Sequence, residues 1–166
     1  MIIKVVMNGL GSVNKNLLKI INDKKDKLLH DYDIVFKVVC VADSSGLALN
    51  DQGFDPIEIC SHKENGKKVC DLLKFKPGIL MEDVINSIDC DLLFEGSPVD
   101  HKTGGEALKI VKSALKGGIS VVLANKGPVV CAHRALHKLA AENNAQLKYS
   151  ATVCGGLPVL NIGERD

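Results

Sequence analysis

Ile2-Ile3-Lys4-Val5-Val6-Met7-Asn8-Gly9-Leu10-Gly11-Ser12-Val13-Asn14 opens with an apolar run of strand length, which breaks at a glycine turn and leads straight into helical spacing. The run 2–7 reads as a buried strand and 8–11 as a turn. Val13, Leu17, Leu18, Ile20 and Ile21 then recur at helical intervals, which predicts a helix from about Ser12 into the charged segment 23–27. A Gly-x-Gly turn between a strand and a helix is the setting of a dinucleotide fingerprint. The first glycine makes the tight turn, the second lets the backbone approach a pyrophosphate, and the helix amides face the phosphates. Asn14 stands where the third glycine belongs. A side chain there is expected to crowd the helix against the sheet.

Working outward, residues 34–42 form a second apolar strand, stopped by Asp43-Ser44-Ser45-Gly46. The stretch 63–78 is polar and punctuated by glycine and proline, and reads as a loop or irregular excursion. A short helix is expected over 81–88 and a third strand over 92–94. Thr103-Gly104-Gly105-Glu106 has the form of a capping box. The helix it would start carries Ala107, Leu108, Val111, Ala114 and Leu115 on one face and ends at Gly117-Gly118. A strand over 119–124 follows, then a helix marked by Val129, Ala132, Leu136, Leu139 and Ala140 and closed by Asn143-Asn144. A fifth strand is expected over 147–152. Regular alternation of strand and helix predicts a doubly wound parallel sheet of Rossmann type in three α/β/α layers, forming one domain over 1–166.

Bulk properties narrow the function classes. At 166 residues the chain fits a single domain with a real core. It is 46% hydrophobic and 25% charged with a net charge of +1, so no strong field favours nucleic acid or a membrane surface. There is no Trp, and two Tyr and four Phe argue against an aromatic platform for single strands. The six cysteines form no C-x-x-C pair and no zinc-finger spacing with histidine, which points to reduced thiols and a cytoplasmic setting. No signal peptide is expected, because the chain begins in a strand, and no apolar run is long enough to span a bilayer.

Chemistry gathers at the strand ends, where open parallel sheets bind ligands. Asp43 ends the second strand, where an acidic residue takes ribose hydroxyls, and Ser44-Ser45 rather than a basic residue follows it. That pattern leans toward NAD over NADP. Val121-Val122-Leu123-Ala124 ends in Asn125-Lys126-Gly127-Pro128. Lys126 would stand at the same edge with a mobile ammonium and three donors. Glu95 ends another strand there, and His101 lies near the start of the next helix. His133 and His137, four apart on a helix, read as a solvated face rather than a metal site, since no third ligand is evident.

Five segments together closely resemble one family. They are Gly9-Leu10-Gly11, Val41-Ala42-Asp43-Ser44-Ser45-Gly46, Glu95-Gly96-Ser97-Pro98, Leu123-Ala124-Asn125-Lys126-Gly127-Pro128, and Tyr149-Ser150-Ala151-Thr152-Val153-Cys154-Gly155-Gly156-Leu157-Pro158-Val159. The resemblance is to the amino-terminal nucleotide-binding domain of homoserine dehydrogenases, and it covers nearly the whole chain. It implies that Gly9, Leu10, Gly11, Ser12 and Val13 hold an NAD(P) pyrophosphate. It implies that Asp43 and Ser44 choose the cofactor, and that Ser97, Pro98, Asn125 and Lys126 border the nicotinamide and substrate. The Gly-Gly-x-Pro stretch would lead toward the family's substrate domain.

The departures are Asn14, Cys154 in place of a usual glycine, and Gly96-Ser97 in a segment that usually reads Ala-Thr or Val-Thr. The sequence also stops at Asp166, where the family's substrate and dimerisation region normally follows with its acidic ligands and catalytic lysine. The expectation is a domain that binds NAD(P) and does not oxidise homoserine unaided. A second reading is a short homologue acting on a small carbonyl metabolite, with Lys126, His101 or Glu95 as acid, base or electrostatic stabiliser. A third is a non-enzymatic module whose apolar surface near 157–162 takes a partner chain or a second copy.

Overall fold

The computed structural model describes residues 1–153. Strand β1 (Ile2–Asn8) lies at the centre of a seven-stranded sheet. On one side it pairs in parallel with β2 (Val35–Asp43). On the other it pairs in parallel with β5 (Leu92–Glu95), which is followed by β6 (Ser120–Leu123) and β7 (Leu147–Lys148). Beyond β2 lie β3 (Gly46–Phe54) and β4 (Phe75–Lys76), both antiparallel to their neighbours. The order is β4-β3-β2-β1-β5-β6-β7. The strand order reverses at β1, so β1 and β5 diverge into a crevice at their carboxyl ends.

Alternation along β1 sends Val6 to one face, and Val5 and Met7 to the other. The first face is covered by α4 (Met81–Val84), α5 (Gly105–Lys116) and α6 (Gly127–Glu142) through Met81, Val111, Leu115 and Leu136. The second is covered by α1 (Ser12–Asp23) and α3 (Pro56–Glu64) through Leu18, Ile21 and Ile59. These two apolar layers make the α/β/α sandwich of a Rossmann-like fold. Fully burying a leucine such as Leu18 or Leu115 contributes about 1.5–3 kcal/mol.

Several local expectations need correction. The sheet is mixed, because Gly46 adopts a φ of 128° and turns β2 directly back into β3. The stretch over 63–78 is partly ordered: α3 reaches Glu64, a single 3-10 turn spans Val69–Asp71, and β4 pairs with β3. Asp55 starts α3 by accepting from the amides of Ile57 and Glu58, with Pro56 in its first turn. The first helix stops at Asp23, and α2 (Lys25–Tyr32) is separate. Val13 and Ile20 face solvent while Asn14, Leu18 and Ile21 face inward.

The capping box at Thr103 is not formed. Gly104 is the N-cap residue with a φ of 78°, and Asp100 instead accepts from the amides of Lys102 and Thr103 and from the Thr103 hydroxyl. The last strand is only two residues long and gives way to a 3-10 turn over Ser150–Thr152. Cys154 and the segments 155–159 and 157–162 lie outside the described residues. No helix among the described residues is long and apolar enough to cross a membrane.

Candidate functional site

A cleft of about 470 Å³ opens at the carboxyl ends of β1, β2 and β5. Asn8 and Gly9 form its floor, Asp43 and Ser44 one wall, Ser97 and Pro98 the other. Residues 79–82 and the start of α5 close the remaining side. Among the described residues its lining contains Asp43, Glu82, Asp100 and Glu106, and no lysine, arginine or histidine.

The glycine turn is built by close approach. Gly9 has a φ of 85°, and a Cβ on it would stand 2.5 Å from the Ser97 nitrogen. Only glycine allows the loops after β1 and β5 to meet there. The Gly9 and Leu10 amides both donate to the Ala42 carbonyl, tying the turn to β2. Leu10 is buried in the core beneath α1. Gly11 has an extended φ of −80°, and a Cβ there would meet nothing within 4 Å. Gly11, Ser12 and Val13 are exposed, and among the described residues no side chain caps α1. The first-turn amides therefore have no side-chain acceptor among the described residues, and the positive end of the helix dipole stands behind them.

Asn14 does not crowd the helix away, contrary to the sequence expectation. Its side chain is buried and its Nδ2 donates to the carbonyls of Asn8 and Gly9 at 3.0 and 3.1 Å, with Phe94 O at 3.4 Å. A Cβ on Gly96 would lie 3.1 Å from the Asn14 side chain. The unusual Gly96 thus makes room for the unusual Asn14, and the two departures compensate each other.

Behind the Ser97 wall lies a buried polar chain. Glu95, 1% exposed, accepts from Asn8 Nδ2 at 2.5 Å, from the Ser97 amide at 2.8 Å and from the Ser97 hydroxyl. Asn125 Nδ2 donates to Ser97 Oγ and to the Pro98 carbonyl, each at 3.2 Å, while its Oδ1 accepts from the Gly127 amide at 2.9 Å. These groups fix the loops after β1, β5 and β6 in one register. Glu95 and Asn125 thus hold the wall from behind and do not line the cleft.

Lys126 and His101 are also absent from the lining. Lys126 is exposed at the N-cap of α6, with Pro128 in the first turn of that helix. His101 is exposed, and its carbonyl lies 3.7 Å from Cys131 Sγ. The structure therefore brings Gly9, Asp43, Ser44, Ser97 and Pro98 together at the cleft. Gly11, Ser12 and Val13 lie at the exposed head of α1, and Lys126 and His101 lie beyond the Ser97 wall.

At this cleft sequence reading missed one residue altogether. Lys63, on α3, places its Nζ 2.5 Å from Asp43 Oδ2, and their side chains are only 15% and 11% exposed. Asp43 also accepts from the Ser45 amide and hydroxyl and from the Val69 amide. Burial pushes its carboxyl pKa upward, but Lys63 and the Ser45 and Val69 donors outweigh it and leave the pKa below the ordinary value. The signal was faint because α3 has little amphipathic pattern and follows β3, a strand the sequence pattern does not mark. The five cysteines among the described residues are free thiols, and burial raises Cys90 to about 11. Among the described residues no cluster of three His, Cys, Asp or Glu side chains is arranged to hold a metal.

No family model matches the sequence. Homoserine dehydrogenase of Methanocaldococcus jannaschii is 31% identical over 160 residues, covering 96% of this chain and 47% of that protein. The NAD(+)-dependent homoserine dehydrogenase of Pseudomonas canavaninivorans is 26% identical, covering 98% of this chain and 46% of its own length. Among solved structures, a hyperthermophilic archaeal homoserine dehydrogenase in complex with NADPH superposes with a TM-score of 0.80 at 28% identity, over 98% of this chain and 48% of that one. The chain spans about half the length of these relatives. With this match of fold and sequence along nearly all of its residues, the chain is a homologue of the homoserine dehydrogenases that corresponds to about half of their length.

Proposed function

We propose that this chain is an NAD(P)-binding domain that seats the dinucleotide pyrophosphate over Gly11 and the first turn of α1. The observation that carries the reading is the open, uncapped head of α1 beside a 470 Å³ cleft at the point where the strand order reverses. Backbone amides and the helix dipole supply the positive field that the acidic lining lacks. Ser97 and Pro98 would border the nicotinamide, with Lys126 and Asn125 just beyond. The bound cofactor supplies a hydride donor or acceptor; the chain supplies position and exclusion of water.

Asp43 faces the ribose end with its acceptor positions already engaged. Lys63 offsets the charge that would repel a 2′-phosphate, which removes the ground for a preference for NAD. The proposal is that both NAD(H) and NADP(H) bind.

Homoserine oxidation by this chain alone is not expected. Hydride transfer needs the substrate carbon held in near-attack geometry. Glu95 is buried with its oxygens engaged, and neither Lys126 nor His101 reaches the cleft lining. Calorimetric titration with NAD, NADH, NADP and NADPH tests the binding, and an absorbance assay with homoserine tests the turnover. One-to-one saturable binding with negligible turnover supports the reading. Absence of binding at about millimolar ligand overturns its first half, and robust turnover its second.

A further inference from the structure

Away from the cleft, three donors converge on the outer surface of α6. His133 and His137 are four residues apart, so they stand one above the other on the helix. Their Nε2 atoms lie 3.0 and 3.2 Å from a single atom, the hydroxyl oxygen of Tyr149. The imidazole centroids are 4.6 Å apart, and each ring is edge-on to Tyr149 at 5.6 Å. Tyr149 comes from the end of β7, so only the fold brings it to the histidines.

The spacing suits a metal ion. Around a tetrahedral ion with bonds of about 2.0–2.1 Å, adjacent donors lie about 3.3 Å apart. The two observed separations, which are hydrogen bonds between each imidazole and the phenol, are within a few tenths of an ångström of that edge. Ala132, with a φ of −148°, breaks the helical path just before His133, and beyond it the buried Leu136 and Ala140 share the histidines' stripe and anchor this part of α6 to the core. Both histidines are exposed and Tyr149 is half-buried, which leaves a remaining position open to water. Two imidazoles and a phenol oxygen are ligands for late first-row divalent ions, among which zinc accepts four-coordinate N and O sets without redox change.

We propose that His133, His137 and Tyr149 form a surface Zn²⁺ site. The ion takes both Nε2 atoms and the Tyr149 oxygen, the phenol proton passes to solvent, and water completes the shell. It staples α6 to the chain just past β7. There the Tyr149 carbonyl also accepts from the Thr152 amide at 2.9 Å and its hydroxyl at 2.7 Å, so the bound ion braces the Ser150–Thr152 turn. Arg134 and Lys148 neighbour the ligands and oppose a dication. The affinity is therefore expected at about the micromolar level.

Exposed thiols at Cys70 and Cys131 also attract zinc, so the test uses a Cys70→Ser, Cys131→Ser background. Co²⁺ is titrated by visible absorption and Zn²⁺ by calorimetry. The expected result is one ion per chain, a tetrahedral Co²⁺ spectrum displaced by Zn²⁺, and a higher Tm with zinc. His137→Ala is expected to weaken binding by about tenfold or more, with a smaller loss for Tyr149→Phe. Affinity unchanged in His137→Ala, or no saturation below about millimolar ion, overturns the site.

Discussion

The two walls of the cleft are held by different physics. On the Ser97 side, neutral amides and one buried carboxyl group lock three loops together through Asn8, Asn14, Glu95, Ser97 and Asn125. On the Asp43 side, a near-buried ion pair with Lys63 joins β2 to α3. The first wall is short-range and geometric, and a missing donor or acceptor leaves a buried partner orphaned. The second is electrostatic, reaches solvent at its rim, and responds to pH. The first wall is therefore expected to be the stiffer part of the site and the second the adjustable one.

The largest effect is expected where the walls meet. Gly9→Val places a Cβ against the Ser97 backbone and forces a β-branched residue to a positive φ. A loss of about 3 kcal/mol or more is expected in urea unfolding, together with loss of cofactor binding. Glu95→Ala comes next. It orphans Asn8 Nδ2 and both Ser97 donors, at about 2–4 kcal/mol in the same measurement, while Glu95→Gln costs less.

Lys63→Met probes the other wall. Three donors to Asp43 survive, so a loss of about 1–2 kcal/mol is expected. The pH dependence sharpens this contrast. The folded-state pKa of Asp43 lies below its ordinary value of 3.8, so the unfolded chain takes up the proton first. Its contribution is complete above that ordinary value and is lost as pH falls through the folded-state value. Lys63→Met is expected to shrink that acid-side slope in unfolding curves, and to weaken NADPH binding more than NADH binding. Lys126→Met is the smallest case: exposed and away from the lining, it is expected to leave stability within about 0.5 kcal/mol. A larger loss would show Lys126 to be structural.

Legibility in the sequence followed the same division. Strong apolar runs with glycine punctuation made β1, β2, β5, β6 and the central helices readable, with Gly9 and Asp43 at their strand ends, whereas Ser97 and Pro98 were legible only through the family resemblance. The β2–β3 turn escaped because Gly46 alone reverses the chain, and β3 is half polar with only Leu47 and Ala48 deeply buried. Lys63 and Tyr149 escaped because tertiary folding, not spacing, brings them to Asp43 and to the histidines. Asn14 was misjudged because its polar end finds three carbonyls, so a side chain that looked like a steric intruder serves as a clamp.

The head of α1 offers the most direct test of cofactor seating. Gly11→Asp occupies open space at an extended φ, and aspartate is a favoured N-cap residue. Its carboxylate would also stand where the pyrophosphate is proposed to sit. Stability and affinity should therefore move in opposite directions. NADPH titration of the parent and Gly11→Asp chains, alongside their urea midpoints, is expected to show an equal or higher midpoint with affinity lowered by about tenfold or more. Equal NADPH affinity in the two chains would contradict the proposed seat over α1.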